Sequence, residues 1–583
     1  MNKFNLLPLA LCTALFSACT SDDVADKGNG EGLDESYLAI NLQNVGEAPG
    51  TRAEYQKDGT YEDGTEAESK INDVRFYFFN SDGSPYMLEG QNKNWLTPTD
   101  NINTNNPNHD QTVEQISNTV LLIKGTERTA PHSVVAVVNS STLDNNLDNT
   151  LGDGAQSLSA IREIQDTKFY QNQGNAANNF VMTNSVYLSA GTEVCATQVS
   201  GHVAANEVAA QNNPIDIYVE RVAAKVNANI DNTDTNANHD KWQKGTSSTW
   251  GEDKWAYKLD EKFNNKDVYA VVEGWGVADE NGRATLEKTI STTWTSNQLG
   301  INPWSTADYH RSFWGNSVNF VTGMGGNNAN QPVNHNYNAI STTLGTPVYT
   351  LANTPKTVGD FAEPMENTLT KFIVAAKLMY QDDQGQWKDA EICQYKGIRY
   401  LGAESVLSVV ANENSTKYFK KTTSTDGSDQ WESLEPSDYK FSTTAPAGSS
   451  ISLKDYEVIP QLANGVTEVY DAEHNLLALG TVNQALATTT NLAQVRTEGR
   501  TYYYTPIRHL ATSDTQLGYY GVVRNHSYKI NLQSITGFGT PVFDPTKVID
   551  PTLPTDEKTW LAARINVLSW RVVKSDVNLD SNR

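Results

Sequence analysis

Cysteine is scarce in this chain. Of 583 residues only four are cysteine: Cys12 and Cys19 near the N terminus, and Cys195 and Cys393 in the body. So few cysteines exclude a disulfide framework, and the two in the body fit either one bridge or two buried free thiols. Basic residues are also few, since 44 Lys and Arg stand against 69 Asp and Glu, a net charge of −25. Such an acidic chain repels phosphate backbones and anionic lipids, which excludes nucleic acid as an expected partner.

Motifs that carry chemistry are missing as well. The sequence has no H-E-x-x-H, G-x-S-x-G or G-x-x-x-x-G-K-[ST] pattern and no paired C-x-x-C. Its nine histidines are scattered without the spacing of metal ligands. We therefore predict no catalytic residues, no metal site and no cofactor, and expect that the protein is not an enzyme.

Long apolar runs are absent except near the N terminus. Residues 6–16 form an apolar run that is too short to span a bilayer and has the length of a signal-peptide core. Ser17 and Ala18 precede Cys19, an arrangement that resembles a bacterial lipobox, in which the cysteine is lipidated. We predict a lipoprotein signal peptide over residues 1–19, with an ordinary signal peptide as the alternative. The acidic segment 20–23 resembles a signal for display on the outer surface.

Strand patterns dominate the body of the chain. Apolar or alternating runs bounded by turn residues predict strands at 37–45, 74–79, 119–123, 133–138, 217–226, 269–272, 372–378 and 502–504. A helical period appears at 158–164, and helices are otherwise scarce. Because a single core rarely serves more than about 300 residues, at least two domains are expected. The pattern predicts an all-β protein with two sandwich-like domains and few short helices.

A cluster of aromatic residues raises a different function. Trp304, Tyr309 and Trp314 lie close together in a stretch with loop-like composition. Flat aromatic rings can stack on sugars, so a monomeric, lipid-anchored glycan-binding protein is the alternative hypothesis. The same rings would also serve to fill the core of the second domain.

An apolar strand is predicted near each end of the chain, and a segment with loop-like composition joins each of these strands to the body. In the first, Leu38, Ile40 and Leu42 alternate with smaller or polar residues, and an acidic, glycine-rich loop that contains Arg52 follows. The C-terminal strand follows a proline-rich spacer, and its apolar residues are Ile565, Val567, Leu568, Trp570, Val572, Val573, Val577 and Leu579. An apolar strand at the end of a chain either completes its own sheet or pairs with another molecule.

These features together predict a polymer. Cleavage after Arg52 would release the first strand and expose a groove with unpaired backbone groups and empty apolar pockets. The tail of a second molecule could fill that groove by β-strand addition. Because the two surfaces differ, the contact would build an open filament.

Several stretches resemble the fimbrillins, the lipoprotein-derived type V pilins, and most of all the major subunits of short fimbriae. The likeness lies in the sequences at 179–184, 219–226, 520–528, 535–541 and 562–570, in the lipobox, and in Gly-Thr-Arg-Ala at 50–53. The resemblance implies two transthyretin-like β-sandwich domains and a non-enzymatic stalk subunit, with Cys19 lipidated and Arg52–Ala53 as the bond cut by a trypsin-like or arginine-specific protease.

The resemblance also implies the domains, partners and location. The expected division is a signal peptide at 1–19, a propeptide with the removable strand at 20–52, β-sandwich domains at 53–226 and 227–545, and a donor-strand tail at 546–583. Expected partners are identical subunits joined head to tail, accessory tip and anchor subunits, the processing protease and an unidentified surface ligand. The precursor is expected to be an outer-membrane lipoprotein and the product a cell-surface fimbria for adhesion.

Overall fold

The structure is a computed structural model that describes most of the folded body of the chain. The described residues are 36–44, 64–98, 116–125, 129–141, 147–167, 169–173, 176–189, 192–290, 315, 332–354, 369–509, 520–551, 560–568 and 573–575. Within these ranges strands greatly outnumber helices, and the helices are short. The prediction of an all-β protein with few helices is confirmed.

The first part of the chain forms one large mixed sheet with small helices beside it. Its elements are β1 (Ser36–Asn44), α1 (Glu66–Ser69), β2 (Val74–Phe79), β3 (Trp95–Leu96), β4 (Ile116–Ile123), β5 (Ser133–Val138), α2 (Leu147–Leu151), α3 (Leu158–Glu163), β6 (Gln165–Asp166), β7 (Gln171–Gln173), β8 (Ala176–Asn178), β9 (Met182–Asn184), β10 (Tyr187–Ser189), β11 (Thr192–Val194), β12 (Thr197–Gln198), α4 (Glu207–Gln211) and β13 (Ile215–Arg221).

Strands in this sheet follow the order β3-β2-β5-β9-β13-β1-β4, with β12 paired to β5. Alternate residues from strands across the sheet meet in one buried core, since side chains of a strand point to opposite faces in turn. Because strands from both ends of the sheet cover this core, we call the unit the first sandwich. The other face of β2 and β5 is buried against α2 and α3 in a second core that includes Tyr77 and Val135. Burial on both faces explains why β2 and β5 read as continuous apolar runs.

The next part of the chain supplies most of a second sandwich. Its elements are β14 (Ala223–Ile230), β15 (Trp242–Lys244), β16 (Trp255–Phe263), β17 (Lys266–Ala278), β18 (Ala284–Thr285), β19 (Val348–Leu351), β20 (Lys371–Gln381) and β21 (Trp387–Asp389), with 3₁₀ turns at His239–Lys241 and Tyr337–Ala339.

A smaller unit with its own core is inserted after β21. It consists of β22 (Ile392–Tyr395), β23 (Ile398–Leu401), α5 (Ala403–Asn414), β24 (Phe419–Thr423), β25 (Asp429–Ser433), β26 (Tyr439–Ser442), β27 (Ile459–Leu462), β28 (Val469–Tyr470), β29 (Leu476–Leu477), α6 (Leu479–Leu486) and β30 (Ala493–Gln494). Residues of α5 and α6 such as Val406, Val410 and Val482 pack against its three small sheets. The sequence patterns above did not predict this unit.

The chain then returns to the second sandwich with β31 (Arg500–Pro506), β32 (Ser527–Thr536), β33 (Thr540–Pro541), β34 (Trp560–Leu568) and β35 (Val573–Ser575). One sheet has the order β19-β14-β32-β34-β35, and the other has the order β15-β16-β17-β20-β31-β33 with β21 beside β20. A single core takes side chains from both sheets, including Trp275 from β17 and Tyr528 from β32. Two sheets that share one core in this way form a β-sandwich.

The chain crosses from the first sheet to the second within one residue. β13 ends at Arg221 and β14 begins at Ala223, with the fully buried Val222 between them. The sequence pattern over 217–226 predicted one strand, and this was wrong, because β13 and β14 pair in different sheets. The division into domains at 226 and 227 stays a prediction.

Charged groups are buried where the two sandwiches meet. The side chains of Glu220 and Lys288 are almost fully buried and lie 3.3 Å apart, Oε1 to Nζ. Burial also raises the pKa of Glu287 to about 8, although the Arg162 guanidinium lies 3.8 Å from its carboxylate. Separating Glu220 from Lys288 would leave an unpaired buried charge, so this ion pair favours a defined arrangement of the two sandwiches.

Candidate functional site

The strand at the N-terminal end of the described chain lies inside the first sheet, next to its edge strand. β1 pairs in parallel with β13, in the register Ile40 to Ile215, and antiparallel with β4, in the register Ile40 to Thr119. Neither partner is adjacent to β1 in sequence. We call the space between β13 and β4 that β1 fills the strand groove.

The apolar residues predicted for the removable strand line the core. Leu38, Ile40 and Leu42 are each at most 1% exposed and belong to the buried cluster beneath the sheet. Full burial of an aliphatic side chain contributes about 1.5–3 kcal/mol. The strand groove therefore contains apolar pockets for alternate residues of whichever strand fills it.

The opposite face of β1 is covered by a short helix. Ala39 is 4% exposed where α4 lies against β1, and Ala210 on that helix is fully buried. Asn206 caps the N terminus of this helix, and its side chain accepts a hydrogen bond from the backbone N–H of Ala209 at 2.9 Å. A reciprocal pair of 2.8 Å backbone hydrogen bonds joins Tyr37 to Ala204 just before this helix. The groove is thus closed on both faces, and the position of Ala39 favours a small residue.

β4 lies at the edge of the sheet. Among the strands that the structure describes, it pairs only with β1. Leu121 and Ile123 point into the core, whereas Leu122 between them is 40% exposed. Loss of β1 would leave unpaired backbone groups on both β13 and β4, which stand two strand spacings apart, about 9–10 Å.

If cleavage after Arg52 releases β1, the effect of a substitution in β1 on stability should depend on cleavage. In chain produced without residues 1–19, Ile40→Ala should lower the free energy of unfolding by about 2–5 kcal/mol, because it opens a cavity in the core. After cleavage at Arg52 and release of β1, the same substitution should have no effect, since residue 40 is gone. Urea denaturation before and after protease treatment measures both values.

The matched control lies on the strand that stays. Ile217 on β13 is fully buried and its backbone is opposite Leu42. Ile217→Ala should lower the stability of cut and uncut protein alike. An equal loss for Ile40→Ala in both forms would mean that β1 remains in the groove after cleavage.

Cys19, Arg52 and Ala53 lie outside the described residues, as do Trp304, Tyr309 and Trp314 of the predicted aromatic cluster. The structure leaves Cys195 and Cys393 as free thiols, which was one of the two alternatives. Burial raises their pKa values to about 11 and about 12, so neither is a reactive thiolate at neutral pH. No group of His, Cys, Asp and Glu in the described ranges could hold a metal ion.

The C-terminal segment forms a hairpin on the second sandwich. β34 pairs antiparallel with β32, with Ile565 opposite Ile530, and β35 folds back on β34, with Val573 opposite Val567. The prediction of one long strand is corrected to two short strands, and the tail completes its own chain's sheet here. Of the predicted donor residues, Leu568 also lies in β34, whereas Trp570, Val572, Val577 and Leu579 lie outside the described residues.

Two features of the site were missed from the sequence. One is the cover that α4 provides over β1, for which the sequence offers little beyond Asn206 as a helix-capping residue. The other is the set of buried contacts around α1, directly after the loop that contains Arg52. Here a signal was present, since Thr65 and Glu68 have the spacing of a capping box, and both of its hydrogen bonds are formed. In the part of the chain that is described, we find no helix with the length and apolarity of a membrane span.

Comparison with protein families adds evidence at the C-terminal end. Residues 495–576 match the model of the family described as major fimbrial subunit protein type IV, fimbrillin, C-terminal. The chain carries a fimbrillin C-terminal region. The matched residues include β31 to β35, so they contain the tail hairpin and the strand on which it lies. The match supports the fimbrillin resemblance and a structural role in a fimbria.

Among curated proteins, none matches the sequence. Similar solved structures include a candidate cell adhesion protein from Bacteroides eggerthii, at 11% identity and a TM-score of 0.35, covering 94% of this chain and 100% of that one. Another is a fimbrial assembly protein from Parabacteroides distasonis, at 10% identity and a TM-score of 0.23, covering 68% and 100%. A third is the C-terminally truncated tip fimbrial protein Mfa3 from Porphyromonas gingivalis, at 10% identity and a TM-score of 0.27, covering 91% and 99%. These scores are too low for a shared topology to be inferred.

Proposed function

We propose that this chain is a structural stalk subunit of a cell-surface fimbria. In this proposal it is exported as a lipoprotein through Cys19, cut between Arg52 and Ala53, and polymerised head to tail by donor-strand exchange. The observation that carries the proposal is the placement of β1, which is paired on both sides in the sheet, between β13 and the edge strand β4. Only residues 45–63, an acidic loop in the sequence, link β1 to the rest of the described fold.

The strand groove has the properties that a donor strand requires. A donor would gain hydrogen bonds along both β13 and β4, each contributing about 0.5–1.5 kcal/mol. Three deep apolar pockets would add about 1.5–3 kcal/mol each. Because the donor must also offset an association cost of about 4–15 kcal/mol, a strand that fills the groove along most of its length can form a long-lived junction.

Before cleavage, β1 blocks the same groove. It is tethered to the chain, so its effective concentration at the groove is on the order of millimolar. A tail from another molecule would have to displace a strand whose three apolar residues are already buried. Cleavage after Arg52 removes the tether, and the timing of polymerisation is then set by the protease.

The tail that would be donated is the C-terminal hairpin, within the segment that matches the fimbrillin family. In the described state β34 is paired with β32, and β35 stands at the edge of that sheet. Donation therefore requires the tail to exchange pairing on its own sheet for pairing in a neighbour's groove. The proline-rich spacer in the sequence before β34 would let the tail reach outward. A chain with both a removable strand and a tail is suited to the stalk, and tip and anchor subunits and a surface ligand complete the proposed partners.

The test is the N-terminal sequence of the protein shed from cells, combined with its assembly state. We expect the shed material to begin at Ala53 and to form filaments under negative-stain electron microscopy. The opposite result would be uncut monomers that still carry a lipid on Cys19. That result would favour a protein anchored to the membrane and would exclude the proposed assembly.

A further inference from the structure

A buried cluster of polar groups holds the chain directly downstream of the processing loop. α1 is the first element described after that loop, and the side chain of Glu68 within it is 1% exposed. Its Oε1 lies 2.8 Å from the ammonium Nζ of Lys225 and accepts a hydrogen bond from the hydroxyl of Tyr349. Its Oε2 accepts a hydrogen bond from the backbone N–H of Thr65 at 2.6 Å. Both carboxylate oxygens therefore have partners in a dry environment.

Arg221 continues the cluster to the second sandwich. It is fully buried, and its Nε donates to the carbonyl oxygen of Glu68 at 2.8 Å. Another guanidinium nitrogen donates to the side-chain oxygen of Asn525 at 3.1 Å. Arg221 belongs to β13 of the first sheet, whereas Asn525 precedes β32 of the second sandwich. The residues after the loop are thus fastened to both sandwiches at the point where these meet.

The electrostatics favour an ionised Glu68. Burial raises the pKa of this carboxyl, but the charge and hydrogen bond of Lys225, with the hydrogen bonds of Tyr349 and Thr65, outweigh burial and hold the pKa below its usual range. Because the pKa of Glu68 is lower in the folded than in the unfolded state, the ionised carboxylate stabilises the fold at pH values above the unfolded pKa, about 4.3. This stabilisation is lost as the pH falls through the pKa of Glu68 in the folded state. The ion pair is therefore intact at neutral pH.

We infer that the buried cluster of Glu68, Lys225 and Arg221 is an anchor that confines strand release to the segment upstream of residue 64. This inference rests on the proposed cleavage after Arg52. The cut leaves residues 53–64 as a new N-terminal arm, and this arm has no alternating apolar pattern with which to compete for the groove. The anchor keeps fraying of the arm from spreading to β2, whose residues fill the core on both faces.

The anchor also gives a reason for processing to stop at one site. The next arginine after Arg52 is Arg75 on β2, which is 7% exposed and forms a 2.7 Å ion pair with Asp148. A protease needs several residues around its target bond in an extended, accessible form. Arg75 is paired with Val137 of β5, and the anchor keeps the preceding residues from fraying into β2 and opening this pairing.

Hydrogen–deuterium exchange on the intact chain and its variants tests the anchor. Lys225→Met leaves the buried Glu68 without its cation, and we expect amide exchange over residues 64–73 to rise by about tenfold or more, with β31 unchanged. Glu68→Gln keeps the shape and should give a smaller rise. The double variant Glu68→Gln/Lys225→Met, which removes both charges of this ion pair, should exchange more slowly than Lys225→Met alone. Lys377→Met is the control, since its partner Asp389 is solvent-accessible.

Digestion with an arginine-specific protease gives a second readout. Wild-type protein should be cut after Arg52 only, whereas Lys225→Met should also be cut after Arg75. Unchanged exchange over 64–73 in Lys225→Met, or an equal rise in β31, would overturn the anchor and leave only a contribution to global stability. If wild type is not cut after Arg52, the proposed function fails, but exchange in the uncut protein still decides whether the cluster holds α1.

Discussion

Arg52→Ala is expected to abolish filaments while the subunit still folds. Without the cut, β1 stays tethered and keeps its place between β13 and β4, so no groove opens for a neighbour's tail. Leu38 and Ile40 remain buried in the core, and the stability of the uncut chain should equal that of wild type. Electron microscopy after protease treatment, with mass spectrometry of the subunit, measures both assembly and processing.

The matched control is Lys57→Ala in the same acidic loop. This variant removes a positive charge close to Arg52 but keeps the arginine, so normal cleavage and normal filaments are expected. Abundant filaments from Arg52→Ala would mean that assembly does not depend on release of β1. The groove would then not be the acceptor, and the proposed function would be wrong.

Deletion of residues 565–583 is expected to abolish filaments by the opposite route. The shortened subunit can be cut and can open its groove, but it offers no tail to a neighbour. Because residues 565–568 pair with β32 in the described state, some loss of stability is also expected, and circular dichroism must confirm that the subunit is folded. The expected product is a processed monomer.

Mixing the two variants separates loss of assembly from loss of folding. Arg52→Ala keeps its tail but has a filled groove, whereas the processed deletion variant has an open groove and no tail. Each variant supplies what the other lacks, so a mixture should form dimers of one copy of each and nothing longer. Native mass spectrometry distinguishes this dimer from monomers and filaments. Longer assemblies, or no association between folded partners, would contradict the assigned roles of groove and tail.

Local patterns predicted the strands that are buried on both faces. Residues 74–79 and 133–138 were predicted as strands and have the same bounds as β2 and β5, since continuous apolar runs leave little choice of structure. The helix predicted at 158–164 is α3, Leu158–Glu163. These elements depend mainly on neighbouring residues, so the sequence is informative about them.

Sequence patterns failed where the alternation of apolar residues continues from a strand of one sheet into a strand of another sheet. β13 and β14 read as one strand because both alternate and the buried Val222 joins them. Nothing in the alternation indicates that Arg221 ends one sheet and Ala223 begins another. The buried position of Arg221 depends on Glu68 and Asn525, which the chain brings together only when both sandwiches have formed.

The sequence by itself determined the strand-rich character of this protein, the absence of recognisable catalytic motifs, and the apolar alternation of Leu38, Ile40 and Leu42. Only the tertiary structure decided that β1 is inserted between β13 and β4, that α4 covers it, and that Glu68 fastens the chain after the loop. The physical reason is that alternation specifies which face of a strand is buried and not which strands lie beside it. Partners far apart in sequence are selected by the packing of the whole sheet, and that packing defines the groove.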